Sequence, residues 1–148
     1  MSLQKKIFQE KILTKINRLF TPSSIAVYGN SSEHNETPEE TACEPSTIYG
    51  CTKVYLELLG AYYKKKHGLD FRSIRYPGPF SAAKPGGGTT DYVTLMMYDA
   101  IEKGKHVCYL SEDTFMPMIH GEDLIQGTVI IFQATPNQLL GRFHWRAS

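Results

Sequence analysis

Hydrophobic positions recur at helical spacing near the N-terminus and then give way to a short continuous run. Between residues 5 and 20 the apolar side chains share one helical face, which predicts an amphipathic helix stopped by Thr21 and Pro22. Residues 24–28 form an apolar run ended by Gly29 and predict a buried strand. Residues 30–45 are polar and predict a surface loop that could cover a site.

The periodicity is strongest for a long helix in the middle of the chain. This helix should begin near Ser46 or Thr47 and end at Gly68, with lysines and a histidine in its last turn, where cations are favourable. The pattern further predicts a strand over residues 69–76, a helix over 91–102, a strand over 106–110 and a helix over 123–132. Helices that alternate with short buried strands are typical of an α/β fold.

Composition narrows the kind of partner to expect. The 148 residues are 41% hydrophobic, enough to bury a core as one domain or as part of a larger one. A formal net charge of +1 gives no global attraction to nucleic acid or to an anionic membrane, and no apolar run approaches the ~20 residues of a membrane span. Cys43, Cys51 and Cys108 are too widely spaced to indicate a disulfide framework or a zinc site. We therefore expect a soluble chain that binds a small molecule in a pocket.

Tyr49 and Lys53 are the first candidates for chemistry. They are four residues apart near the start of the long helix, so their side chains share a face. A tyrosine, whose ordinary pKa is near ~10, is a poor base at neutral pH, but a fixed ammonium and the positive end of a helix both stabilise its phenolate. The spacing alone is a weak signal, because Tyr62 and Lys66 repeat it at the other end of the same helix.

Position favours Tyr49 over Tyr62. Ser24, a hydroxyl that could orient a substrate, begins the predicted strand over residues 24–28, and the ends of strands are where α/β sheets place their chemistry. Taken alone, Ser24 is more often a capping hydroxyl, and Tyr49 alone is usually a packing residue. Their spacing from each other is what makes them a candidate pair.

Two segments, SSIAVYG at residues 23–29 and YGCTK at residues 49–53, together resemble the motifs of the extended short-chain dehydrogenase/reductase family in their residues and in the distance between them. Three further segments, GLDFR (68–72), RYPG (75–78) and GGGTTDY (86–92), resemble its L-threonine 3-dehydrogenase branch more than the sugar-nucleotide epimerases. The resemblance covers roughly residues 20–134. It implies a partial Rossmann-like α/β fold with sheet and helix layers.

The resemblance also implies roles for individual residues. Tyr49 would be the base on the side-chain hydroxyl of L-threonine, Ser24 would orient that hydroxyl, and Lys53 would hold the nicotinamide ribose of NAD while hydride leaves carbon 3. The product would be 2-amino-3-oxobutyrate. Further residues are expected at the cofactor, Pro77, Gly78 and Pro79, and at the amino acid, Gly88, Thr89 and Thr90.

The chain departs from the family pattern at its N-terminus. The glycine turn that cradles the NAD pyrophosphate, which the family places after its first strand, has no counterpart in this sequence. We expect a single partial domain, with residues 1–83 as the C-terminal half of the Rossmann-like domain and residues 84–148 as the start of the substrate region. The chain is accordingly expected to be truncated at both ends and inactive alone.

Alternatives remain open at this point. The chain could be an inactive remnant that pairs with a partner, or a nucleotide-sugar epimerase or dehydratase, although GTTD at residues 88–91 argues against the latter. The resemblance implies a homodimer through the helix at residues 49–66. It implies a mitochondrial location for a eukaryotic chain and a cytoplasmic one otherwise, and the basic N-terminus is only weakly similar to a mitochondrial presequence.

Overall fold

The computed structural model describes residues 16–33, 37–38, 41–83, 86, 88 and 90–139, together with Lys6. The chain divides into two compact units. The first comprises the described parts of Met1–Arg75 and Ile130–Ser148, and the second comprises those of Tyr76–Val129. Both units mix short strands with helices, which confirms the predicted α/β class.

Strand β1 (Arg18–Ser24) runs beside strand β2 (Asp70–Tyr76) in a two-stranded sheet. The Asp70 N–H donates to the Asn17 carbonyl at 3.0 Å, and Ser73 Oγ donates to the Thr21 carbonyl at 2.8 Å. Residues 17 to 21 therefore advance in the same direction as residues 70 to 73, so the two strands are parallel. The hydrophobic core of this unit is formed by Tyr63, Leu69 and Phe71. Leu19, Leu56 and Leu59 pack against it.

Two predictions at the start of the chain are wrong. The predicted helix does not extend to residue 20, because residues 18–20 belong to β1; residues 5 and 7–15 of that prediction lie outside the described residues. The predicted strand over residues 24–28 is displaced, since only Ser24 is in β1 and Ile25–Val27 is a short 3-10 helix. Pairing with β2 satisfies the backbone of residues 17–21, and this tertiary contact overrides the local helical pattern.

The long helix α1 (Ile48–His67) confirms its prediction at both ends. The Thr47 hydroxyl accepts a hydrogen bond from the Gly50 N–H at 3.0 Å and caps the N-terminus. Gly68 adopts a left-handed φ of 67° and ends the helix, with its N–H bonded to the Lys64 carbonyl. Helix α1 connects the parallel strands β1 and β2, as such strands require.

The second unit holds strands β3 (Gly78–Phe80) and β4 (Met118–His120), which pair in parallel with Gly78 opposite Met118. Helix α2 (Tyr92–Lys103) precedes β4, and helix α3 (Gly121–Gln133) follows it directly and continues into the first unit; a short helix α4 covers Pro136–Leu139. Helices α2 and α3 lie close to their predicted bounds.

The strand predicted over residues 106–110 is wrong, because no strand forms there. His106 Nδ1 lies 2.7 Å from Asp99 Oδ2, so this segment is held against α2 by a side chain. The next apolar side chain, Val107, is exposed to solvent. An apolar run of this length cannot by itself distinguish a strand from a loop that follows a helix.

Candidate active site

Ser24 is the last residue of β1, at the point where the strand turns into the 3-10 helix. Its Oγ accepts a hydrogen bond from the Ala26 N–H at 3.2 Å, so the hydroxyl caps this turn. A hydroxyl that accepts one bond can still donate another. Ser24 is half-buried, and its side chain can therefore meet a ligand at the end of the strand.

Tyr49 and Lys53 lie in the first turns of α1. The Tyr49 side chain is 55% exposed, and the Lys53 ammonium lies 5.3 Å from the centre of the Tyr49 ring. Lys53 Nζ also donates to the Pro22 carbonyl in β1 at 2.7 Å. The ammonium is thus held between the tyrosine and the strand that carries Ser24.

A glycine allows the helix to begin so close to this strand end. A Cβ built on Gly50 would lie 2.1 Å from the Ala26 carbonyl oxygen, far inside a permitted contact. The N-terminus of α1 therefore lies directly against the turn that Ser24 caps. The three predicted catalytic residues are in one unit and on adjoining elements, and their catalytic roles stay a prediction.

Tyr62 and Lys66 make the more direct contact of the two Tyr–Lys pairs. Lys66 Nζ donates to Tyr62 Oη at 2.8 Å, and this hydrogen bond raises the pKa of the lysine. The pair is exposed near the C-terminus of α1, where Tyr62 meets the rings of Tyr63 and His67 edge-on. Side-chain contact therefore does not distinguish the two pairs, and the neighbouring strand end at Ser24 does.

Sequence reasoning missed a buried charged network one turn beyond Lys53. Glu57 accepts hydrogen bonds from Ser23 Oγ and from Arg75, the latter at 2.8 and 3.1 Å to its two carboxylate oxygens. Arg75 also donates to Tyr28 Oη at 3.0 Å and to Cys43 Sγ at 3.2 Å. The bond to Glu57 raises the pKa of Arg75, so the guanidinium stays charged, while burial raises the pKa of the Cys43 thiol.

One signal could have indicated this network. Glu57 is the sole acidic residue of α1, and it stands between Leu56 and Leu58 on a helix whose other charges are lysines. A carboxylate at such a position needs a cation or several donors. Its partners Ser23 and Arg75 are distant in sequence, so their identity was not predictable from local pattern.

The residues expected at the cofactor begin the second unit. The Gly78 N–H donates to the Pro117 carbonyl at 3.0 Å, and a Cβ there would meet Met118 Sδ at 2.7 Å and the Thr90 side chain at 2.8 Å. Pro77 precedes β3 and Pro79 lies within it. The Gly78 backbone therefore lies tightly against one of the residues expected at the substrate.

The remaining substrate residues lie before α2. The Gly88 N–H donates to Asp91 Oδ2 at 2.8 Å, so a carboxylate already lies against this amide. Thr90 contacts Gly78, and Thr89 lies outside the described residues. The structure thus brings Thr90 next to Gly78 and gives Gly88 a carboxylate neighbour, and their binding roles stay predictions.

The described part of the chain contains neither a metal site nor a membrane-spanning helix. There, no group of three or more histidine, cysteine, aspartate or glutamate side chains is arranged to hold a metal ion. Among the described helices, none combines the length and apolar character needed to cross a membrane. The three cysteines are free thiols.

The sequence matches a known protein family and several of its members. The model of the NAD dependent epimerase/dehydratase family matches residues 3–141. Bovine mitochondrial L-threonine 3-dehydrogenase is 44% identical over 123 residues, which cover 82% of this chain and 33% of the bovine protein. An uncharacterised epimerase/dehydratase of Staphylococcus haemolyticus is 43% identical over 124 residues, covering 83% of this chain and 39% of its own length.

Solved structures agree with these sequence matches. L-threonine dehydrogenase from Phytophthora infestans superposes with a TM-score of 0.87 at 43% identity, covering 90% of this chain and 44% of that one. The GalE-like L-threonine dehydrogenase from Cupriavidus necator gives 0.88 at 37% identity, covering 95% and 51%. The chain therefore spans about a third to a half of the length of these relatives.

These neighbours extend the fold assignment as well as the family. They have the Rossmann-like α/β architecture, of which this chain represents a part. The matched region contains β1, α1 and the second unit, and hence every described residue of the candidate site. Because the family model matches nearly the whole chain, residues 3–141, the chain belongs to the NAD dependent epimerase/dehydratase family.

Proposed function

We propose that this chain carries the reactive centre of an NAD-dependent L-threonine 3-dehydrogenase. The observation that carries the proposal is the position of Tyr49 and Lys53 on α1, against the strand end formed by Ser24. The names of the bovine and Phytophthora infestans relatives support the choice of L-threonine. The chain spans only part of the length of those proteins, so the activity is proposed for a full-length enzyme that contains this segment.

Three side chains take part in the proposed proton transfer. Tyr49 Oη takes the proton from the side-chain hydroxyl of threonine, and Ser24 Oγ holds that hydroxyl by a hydrogen bond. The Lys53 ammonium, 5.3 Å from the Tyr49 ring, favours the negative charge that the phenolate carries as base. The C3–H bond breaks with its electron pair as the carbonyl forms, which leaves 2-amino-3-oxobutyrate.

The residues present fit one end of NAD, which when bound supplies the acceptor for the hydride. The exposed Tyr49 hydroxyl and the Lys53 ammonium share a helix face and suit the two hydroxyls of a ribose. Pro77, Gly78 and Pro79 are proposed to lie at the nicotinamide. In the described residues, β1 leads into a 3-10 turn rather than a glycine turn, so no cradle for the pyrophosphate is assigned here.

The amino acid is proposed to bind through the loop before α2. The Gly88 amide holds the Asp91 carboxylate in the structure, which means that it can hold a carboxylate of the same chemistry. A substrate carboxylate would replace Asp91 at this amide, and the hydroxyls of Thr89 and Thr90 would bind its other polar groups. Threonine carries the required carboxylate and ammonium at one end.

The decisive experiment uses a matched pair of tyrosine variants. The chain is assayed for NADH absorbance with L-threonine, both alone and as a chimera in which it replaces the corresponding segment of the Cupriavidus necator enzyme. Tyr49→Phe should lower the turnover number by at least ~100-fold, the usual loss when a general base is removed. Tyr62→Phe, on the same helix with its own Lys66, should retain turnover. Activity that survives in the Tyr49→Phe chimera would contradict the proposal.

A second candidate role, as a pairing partner without catalysis, rests on the exposed apolar side chains of α1. Leu58 and Tyr62 are 64% and 49% exposed and lie one turn apart on one face. Under this proposal the chain forms a homodimer through the helix at residues 49–66. Leu58→Glu should convert the dimer to a monomer in sedimentation velocity, while Ile101→Glu on α2, a position that is even more exposed, should not. A wild-type monomer would exclude this role.

The compartment is part of the proposal. The bovine and porcine relatives are named as mitochondrial L-threonine 3-dehydrogenases, which supports a mitochondrial location if the source is eukaryotic. Import of the radiolabelled protein into isolated mitochondria tests it. Protein that stays sensitive to external protease after the import reaction would contradict that location.

A further inference from the structure

Glu57 is a buried carboxylate that the proposed reaction does not use. The residue is 3% exposed, and its side chain lies one turn beyond Lys53 on α1. Burying a carboxylate is unfavourable unless it is paired and hydrogen-bonded, and both conditions hold here. Arg75 pairs with it through two nitrogens, and Ser23 Oγ donates a third bond.

These bonds fasten α1 to the end of β1 at consecutive residues. Lys53 Nζ donates to the Pro22 carbonyl, and Glu57 accepts from the hydroxyl of the next residue, Ser23. Ser24 follows immediately. The position of the Ser24 hydroxyl relative to the face of α1 that carries Lys53 is therefore set by two contacts directly before it.

Arg75 extends the same network to the other side of the strand end. It lies near the end of β2, and besides Glu57 it contacts Tyr28 just after the 3-10 turn and Cys43 in the loop before α1. The turn that Ser24 caps is thus held on both sides, at Ser23 and at Tyr28. One ion pair, between the buried Glu57 and the half-buried Arg75, connects β1, β2, α1 and this turn.

We propose that Glu57 is a positioning residue for the reactive centre, which holds Ser24 in register with Tyr49 and Lys53. The assignment rests on the proposed function for the reaction it serves. Well-packed apolar residues would stabilise the fold as well as a buried ion pair does, so stability alone does not account for the pair. Hydrogen bonds to a carboxylate fix direction as well as distance, which apolar contacts do not.

Lysine labelling tests this positioning without any turnover. Competitive acylation with mass spectrometry measures the rate at Lys53 against Lys64 and Lys65, which are exposed on the same helix. Ser23→Ala removes one hydrogen bond, which should open the Lys53 contact with Pro22 and raise acylation of Lys53 by about threefold or more, with the other two lysines unchanged. Ser23→Thr keeps the hydroxyl and should restore the wild-type rate. An unchanged Lys53 rate in Ser23→Ala, or an equal rise at all three lysines, would overturn the proposal.

A double variant separates positioning from folding. Glu57→Leu combined with Arg75→Met removes the ion pair without leaving a buried charge unpaired, so the chain should still fold. We expect faster acylation of Lys53 in this variant and, in the chimera, a turnover number reduced by about tenfold with little change in KM, because misalignment acts on the transition state. Wild-type labelling and wild-type turnover together would refute the proposal. A wild-type chimera without turnover would count against the proposed function alone, since the labelling result stands by itself.

Discussion

Gly50 in α1 lies against the backbone of Ala26, so closely that a Cβ on Gly50 would be 2.1 Å from the Ala26 carbonyl oxygen and 2.6 Å from the Pro45 Cβ. A methyl group there must push the N-terminus of α1 away from the turn that follows Ser24. We expect Gly50→Ala to lower the free energy of unfolding by about 1–3 kcal/mol, as overpacking does, and to lower turnover in the chimera. Urea unfolding followed by circular dichroism measures the first effect.

Gly127→Ala is the matched control for this substitution. Gly127 lies inside α3, and nothing is within 4 Å of the place where its Cβ would be. Alanine favours a helix over glycine, so this variant should be neutral or more stable by up to about 1 kcal/mol. If the two variants unfold at the same urea concentration, that result would contradict the close contact between Gly50 and Ala26.

Gly60 is the second point at which α1 requires a glycine. A Cβ on Gly60 would lie 2.2 Å from the ring of Phe71 in β2, which belongs to the core. Gly60→Ala should therefore destabilise the chain by about 1–3 kcal/mol. In a Phe71→Leu background the same substitution should cost less, and a double-mutant cycle from urea unfolding should give a coupling of at least about 0.5 kcal/mol. Additive effects would mean that the ring and the helix do not meet.

Helix α1 could be predicted from sequence because its signals are local. Thr47 caps the first turn and Gly68 ends the last one, and both lie within a residue of the helix itself. Strand β1 could not be predicted in its correct position, because its backbone is satisfied by β2, more than fifty residues away. The Asp70 bond to Asn17 decides that residues 18–20 are strand, and no local pattern contains that information.

In the candidate site, too, the features with local signals could be predicted and those that depend on long-range contacts could not. Tyr49 and Lys53 are on one helix, so a fixed spacing of four residues was enough to place them on a common face. The spacing could not separate them from Tyr62 and Lys66, which even form the shorter contact. Glu57 was missed because its partners come from β1 and β2, and only the folded chain brings them together.

The Asp70 carboxylate makes stability depend on pH at the acid end. Hydrogen bonds from Arg72 first, and then from Arg18, hold the pKa of Asp70 below its usual value. A depressed pKa stabilises the fold above the unfolded value of about 3.9, and this contribution is lost as pH falls through the folded value. The difference in unfolding free energy between wild type and Asp70→Asn should therefore be largest near neutral pH and shrink as pH falls below about 4.

Urea unfolding at a series of pH values measures this difference. Glu112→Gln removes one negative charge from an exposed position and controls for the change in net charge. It should leave stability near that of wild type at neutral pH. A wild-type advantage over Asp70→Asn that stayed constant down to the lowest pH would show that the two arginines do not stabilise the ionised carboxylate.

Arg72 connects the sheet to the C-terminus of α3. Its buried guanidinium donates to the carbonyls of Ile131, Phe132 and Ala134, the last at 2.7 Å, groups that the end of a helix leaves without internal partners. Arg72→Met removes these donors from part-buried carbonyls, so we expect a loss of about 1–2 kcal/mol in unfolding free energy.

Local hydrogen exchange distinguishes this role from a general loss of stability. The Ala134 N–H bonds to the Ile130 carbonyl at 2.9 Å and should lose protection in Arg72→Met by more than amides in the middle of α1. Arg18→Met is the control, because Arg18 donates only to Phe132 among these carbonyls and is more exposed, so its effect should be smaller. Equal loss of protection at Ala134 and along α1 would mean that Arg72 stabilises the unit as a whole and does not cap α3.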